Sequence, residues 1–297
     1  MTTLPVPPDT YHSEALAVDP SGRYIVGSAV VGQSSDDYPV LLWDRERLVE
    51  VDVPDLLGPV AVDVNRRGVV IGNGRDGSLL RPWRYQAGAA TLLPLVDKAD
   101  EVTAEGINSR GDIVGVGRTP AGHMYALLWP ARHPGTVRVL DTPPDLVDLA
   151  GITDNGTIVG ISGSYFDPTS WLRTPAGAVR PLTGPDAIGA AATAVGGHWA
   201  VGQIFHDGVL LGLRWNLRTG RVVVLDRRLD SAPTDVNARA VVLAGTTLQR
   251  GSTVVTLPSP SPDQAVGGRA IADNGTVVGF HNNGLPGGVR GVRWTRC

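Results

Sequence analysis

One short phrase recurs seven times along this chain: a run of small residues, a polar turn, and a hydrophobic triplet that closes on glycine. The copies read ALAVDPSGRYIVG, AVDVNRRGVVIG, AEGINSRGDIVG, LAGITDNGTIVG, AAATAVGGHWAVG, PTDVNARAVVLAG and GRAIADNGTVVG. Their closing glycines are Gly27, Gly72, Gly115, Gly160, Gly202, Gly245 and Gly279. The spacing is about 43 residues, falling to about 34 for the last pair. A period of this size that holds only β signals points to a propeller or a solenoid.

The rest of the chain supports an all-β reading. Glycine (38) and proline (23) are frequent among the 297 residues, as many short strands and turns require. No long stretch places apolar residues at helical spacing. The net charge of −3 is spread evenly and no basic cluster occurs, which argues against nucleic acid as a partner. No run approaches the ~18 apolar residues of a membrane span, and the opening MTTLPVPPDTYHSEA has neither the charged nor the apolar region of an export signal. The single cysteine, Cys297, cannot form an internal disulfide. These features lead to the expectation of a cytoplasmic protein with no membrane association. Lysine occurs once, at Lys98, an imbalance toward arginine that reads as a GC-rich genome.

Each repeat reads as four strands, A to D. Strand A is the small-residue run, as in AVDV (61–64), and strand B is the triplet before the closing glycine. Between them lies a tight turn such as Arg66-Arg67-Gly68, Ser109-Arg110-Gly111 or Asp154-Asn155-Gly156. Strand C ends near Trp43, Trp83, Trp129, Trp171, Trp215 or Trp294, and strand D follows a second turn. Four antiparallel strands per repeat make a propeller blade. Small residues suit the crowded inner strand, and the tryptophans suit the interface between blades. The expected fold is one seven-bladed β-propeller domain over 1–297. Its blades fall near 15–54, 60–95, 104–143, 149–183, 190–226, 234–258 and 268–297, the last completed by 2–7, which resembles the end of a strand D. The sixth repeat has no tryptophan and little room between Gly245 and Pro258, so a degenerate blade, short by a strand or two, is expected there.

The core G-I-N-x-x-G-x-I-V-G, seen at Gly106-Ile107-Asn108 with Gly111 and Gly115 and echoed in the Gly151 and Gly275 copies, resembles the HAF-type repeat. The resemblance covers essentially the whole chain and implies the propeller architecture. It also implies export, from which this chain departs in lacking the signal.

Function resides most often in irregular loops. In a propeller the B–C loops and D–A connections open on one face. Four of the six histidines, all three phenylalanines and four of the six tyrosines fall on those segments. Such a wall, with a few charges, is what a small-molecule pocket needs, although aromatics at loop bases also serve simply to plug the channel. The candidate acid/base or hydrogen-bonding groups are His206 with Asp207, and His123 near Tyr125. Tyr11, His12, Tyr38, Arg75, Arg118, Tyr165, Phe166, Phe205, Phe280 and His281 are the candidate binding residues. No H-x-H, H-E-x-x-H, C-x-x-C, G-x-S-x-G or phosphate-loop spacing occurs, so neither a metal nor another cofactor is expected. The recurrent Pro-Asp pairs, such as Pro54-Asp55 and Pro144-Asp145, read as turn starters.

The expectation is a protein binding an apolar small molecule at one mouth of the central channel. A cofactor-independent cyclase or isomerase acting on a polyketide-like metabolite fits it, because holding reacting ends together can itself supply much of the rate. The alternative is a non-catalytic scaffold for protein interaction or ligand sensing. A lyase or glycan-binding propeller ranks third.

Overall fold

The computed structural model describes residues 1–32, 38–164, 167–185, 189–206, 208–285 and 287–295. They form seven four-stranded antiparallel sheets, and the fold is a seven-bladed β-propeller. In blades 1 to 6 the strands follow chain order; blade 7 takes its outermost strand, Thr2–Thr3, from the N-terminal end, where Thr2 pairs with Arg293. The Leu4 N–H extends that ladder by donating to the Gly291 carbonyl at 2.9 Å. The observed blades span 10–51, 57–92, 101–139, 146–182, 191–224, 235–256 and 265–294, within a few residues of the sequence expectation.

The contacts divide the chain into two compact units. Met1–Leu93 with Thr256 onward holds blades 1, 2 and 7; Pro94–Val255 holds blades 3 to 6. Within each unit the core lies between successive blades. In the first, Trp43 packs with Leu4, Ile25 and Val278, and Trp83 with Val26, Leu42 and Val70. In the second, Trp171 packs with Val114 and Leu149, and Trp215 with Val159 and Leu172.

The closing glycines of blades 1, 2, 3, 5 and 7 share one structural cause. Strand A of blades 1 to 5 and of blade 7 carries a bulge, and the bulge always begins at the residue paired with the closing glycine: Ala15 with Gly27, Ala61 with Gly72, Ala104 with Gly115, Leu149 with Gly160, Ala192 with Gly202, Gly268 with Gly279. A bulge adds one unpaired residue and bends its strand. In blade 3 this swings the Thr103 carbonyl over Gly115, so that a β-carbon there would overlap it, and the Trp129 ring lies 2.8 Å from the same point. Glu14, Val60, Ala191 and Gly267 place their carbonyls likewise over Gly27, Gly72, Gly202 and Gly279.

The tryptophans do more than fill space. In blades 1, 3, 5 and 7 the indole N–H donates to a carbonyl in the connection that leads into the same blade: Trp43 to Pro5 (2.6 Å), Trp129 to Pro94 (2.8 Å), Trp215 to Thr183 (2.7 Å) and Trp294 to Pro258 (2.9 Å). Trp171 donates instead to Ser162 Oγ at 3.0 Å.

Blade 6 departs from the expectation of a missing strand. It has all four, at Asp235–Val236, Val242–Ala244, Thr247–Arg250 and Thr253–Thr256, each only two to four residues long. Its register also moves the repeat by one residue. Asp235 pairs with Leu243, so Ala244 occupies the place of the closing glycine and Gly245 belongs to the following turn, with φ of 55°. This pairing covers two residue pairs, Asp235 with Leu243 and Val236 with Val242, and ends before Ala244. The turn is held by Asp230, whose carboxylate accepts from the Thr246 N–H (3.0 Å) and hydroxyl and from the Thr247 hydroxyl (3.0 Å).

Candidate functional site

In the first unit the candidate residues take up separate places. Tyr11, at the start of strand A of blade 1, is exposed, and its ring lies against Gly287. Its carbonyl accepts from Arg290 Nη1 at 2.9 Å. His12 is the next residue and is half-buried. Phe280 lies across Gly267 with the Arg269 guanidinium 5.3 Å from its ring centre, and Arg269 is itself paired with Glu14 at 2.6 Å. His281 Nε2 hydrogen-bonds Gln264 Oε1 at 2.7 Å. Arg75 closes its own hairpin by donating to the Ser78 carbonyl at 3.0 Å. Phe280, His281 and Arg75 are thus engaged within the fold, and Tyr38 lines a surface groove of its own.

In the second unit, Phe205 stands 71% exposed on a β-hairpin of blade 5, beside the exposed Val209 and Leu210. His206 ends that strand; its side chain, with Asp207, Tyr165 and Phe166, lies outside the described residues. Arg118 faces Glu101 at 3.9 Å across strands A and B of blade 3. His123 is exposed in a tight turn, where its N–H donates to Thr119 Oγ1 (3.1 Å) and its carbonyl accepts from the Thr119 N–H (2.9 Å).

Tyr125 is different. It is the second residue of strand C of blade 3 (Met124–Trp129), directly opposite Gly117, and its ring lies over that glycine, 2.6 Å from where a β-carbon would stand. The ring forms one wall of a groove of about 540 Å³. The other walls are Leu95 and Val96, from the connection that leads into blade 3, and Val137 and Val139, from its outer edge, with Asp97 and Lys98 at the rim. The Tyr125 hydroxyl is buried and has no hydrogen-bond partner among the described residues. Burial, with the nearby Asp100 charge, pushes its pKa above the usual tyrosine range, so the phenol is neutral and keeps its proton. A buried polar group without a partner is uncommon enough to require an explanation. Tyr125 was legible as an aromatic at a loop base. Leu95, Val96, Val137 and Val139 were not, because chain segments far apart in sequence bring them together. Lys98, which the sequence reading attributed to genome composition, is at this rim.

A second electrostatic feature lies on the inner strands of the same unit. Burial pushes the Glu105 carboxyl up to about 7, opposed by a hydrogen bond with Thr103 and reinforced by the charge of Asp148. Glu105 is the bulge residue of blade 3, between Ala104 and Gly106. Asp148 on blade 4 is raised as well, by the protein around it, against a bond from the Leu149 N–H. Asp148 nonetheless is exposed to water over much of its surface. Among the described residues no group of three or more His, Cys, Asp or Glu side chains could hold a metal ion. No helix among them is long and apolar enough to cross a membrane.

No protein-family model and no curated protein matches the chain. Among solved structures, it is similar to a virginiamycin B lyase from Staphylococcus aureus, with a TM-score of 0.63 and 12% identity over 100% of this chain and 99% of that one. It is also similar to a puromycin-hydrolyzing peptidase from Mycobacterium tuberculosis, with a TM-score of 0.66 and 13% identity over 99% of this chain and 54% of that one. A third similarity, with a TM-score of 0.52 and 13% identity, is to a TolB protein from Agrobacterium tumefaciens, over 72% of this chain and 80% of that one. The chain spans 65% of a TolB chain from Acinetobacter baumannii. At these identities the likeness is one of fold alone.

Proposed function

We propose that this chain is a ligand-binding propeller that holds an apolar small molecule in the blade 3 groove, with the Tyr125 hydroxyl donating to a carbonyl on it. The observation that carries this reading is the unpartnered buried phenol in a groove walled mainly by Leu95, Val96, Val137 and Val139. The walls supply affinity through burial of the ligand's apolar surface, and the hydroxyl supplies orientation. A neutral donor aimed at a carbonyl also stabilises negative charge that develops there. A cofactor-independent cyclisation or isomerisation of a flexible polyketide-like substrate needs such a donor and a wall that keeps the reacting ends close.

The test compares 2-acetonaphthone with 2-ethylnaphthalene, which differ in the carbonyl, by quenching of tryptophan fluorescence. Tyr125→Phe is expected to weaken the ketone by about 5- to 10-fold, the worth of one hydrogen bond, and to leave the hydrocarbon unchanged. In the absence of ligand the same variant should be as stable as the parent or slightly more so, since a buried hydroxyl without a partner costs about 1–3 kcal/mol. Equal weakening of both probes, or of neither, refutes the assignment. A protein-docking role has one observation in its favour, the apolar hairpin tip of Phe205, Val209 and Leu210; Phe205→Ser with Leu210→Ser would abolish a partner complex formed there and leave ketone binding intact.

A further inference from the structure

We infer a second binding site, on the first unit, for a small organic cation that carries an apolar ring. A groove of about 370 Å³ runs between the outer part of blade 1 and the connection to blade 2. Its exposed apolar lining is Tyr38 and Leu57, with Leu57 69% exposed, above the buried Val51 and Val53. The charges on its lining are Glu50 and Asp52, and no basic side chain lines it. Both carboxylates are exposed, and neither makes an ion pair among the described residues.

The placement follows from the local fold. Strand D of blade 1 (Arg47–Val51) buries Val51, and Val53 beyond it is buried too, so alternation turns Glu50 and Asp52 outward on the same side. The chain then reverses through Asp55 (φ 65°) and Gly58 (φ 52°), which presents Leu57 to solvent opposite. Two carboxylates in a groove that a tyrosine also lines make a field complementary to an ammonium group. The ring attracts a cation through its quadrupole, and the carboxylates attract it by charge without competition from a neighbouring base. The exposed Leu57 side chain takes the ligand's ring. The same features disfavour an organic anion, which would meet two like charges. This site shares no residue with the blade 3 groove and does not depend on the function proposed there.

The probes are 2-phenylethylammonium and 2-phenylethanol, which share ring and chain and differ in charge. Binding is read from amide chemical shifts of Val51, Val53 and Leu57 in the full chain. The ammonium is expected to bind in the millimolar range, at least about 5-fold more tightly than the alcohol, as exposed charge pairs and a cation–π contact together allow. Glu50→Gln and Asp52→Asn should each weaken it about 2- to 4-fold, and the pair about 10-fold. Tyr38→Leu should weaken the ammonium and leave the alcohol unchanged. Raising salt from low to physiological strength should act on the ammonium alone. Equal affinity for the two probes, insensitivity to both carboxylate variants, or no shift at these amides with the amine at about 20 mM overturns the assignment. Unchanged melting of each variant shows that the loss is local.

Discussion

Gly115→Ala is expected to lower the melting temperature by roughly 10 °C or to prevent folding, although it adds one methyl group at a buried position. Overpacking of a core costs about 1–3 kcal/mol where side chains can move aside. Here the methyl meets the Thr103 carbonyl, which is backbone, with the Trp129 ring immediately beyond it. Relief requires the strand A bulge to withdraw, and the pairing on both sides of it, Ala104 with Gly115 and Gly106 with Val114, to shift. A cost of about 3–5 kcal/mol follows, placing the substitution among the rare severe ones, at about 2–4 °C for each kcal/mol in a large domain. Blade 6 supplies the control. Ala244 sits at the equivalent place, fully buried, with its methyl already accommodated, so Ala244→Gly should cost only about 1 kcal/mol, the entropy of a strand glycine. Thermal denaturation of the two variants separates the accounts. Melting of Gly115→Ala within about 2 °C of the parent would show that the bulge yields easily.

Stability is expected to fall as pH rises from about 5 to 8, and Glu105→Gln is expected to remove much of that fall. Glu105 is held at about 7 in the folded chain, above its ordinary 4.5. Between those values the folded state binds a proton that the unfolded state has released, so stability declines with rising pH across this window and levels off above it. Asp148, also raised by burial, acts in the same sense. Glu105 is half-buried, so solvent screening reduces the effect to about 1–2 kcal/mol at pH 8. Melting curves of the parent and Glu105→Gln, recorded at intervals from pH 4.5 to 8.5, should coincide at the acid end and separate by a few degrees at the alkaline end, with the variant higher. Parallel curves over the whole range would mean that Glu105 titrates as an ordinary exposed carboxylate.

The repeat was legible because the glycines, turns and tryptophans answer to constraints local to one blade. Asn65, Asn108 and Asn237 show this well: each Oδ1 accepts from the N–H groups two and four residues on, so the turn between strands A and B is encoded by a single side chain. The bulge was not legible, since it is a property of register and no residue type announces it. The same gap explains the one-residue error in blade 6. The run V-L-A-G reads as one more closing glycine, and only the pairing of Asp235 with Leu243 shows that the alanine stands in that place. Among the candidate residues, aromatic character was visible but its use was not. Phe280 and Tyr125 both lie over a glycine on a neighbouring strand. The first is covered by Arg269 and the second opens onto a groove, a difference set by the segments packed around each.

The pairing of Thr2 with Arg293 joins positions almost a full chain length apart. During synthesis on the ribosome, Thr2 and Thr3 must therefore wait, unpaired, until the last blade has emerged before they can take their place in it. Blade 7 is then the final sheet to be completed, and a bulky fusion placed ahead of Thr2 would burden that step more than one placed on a hairpin elsewhere.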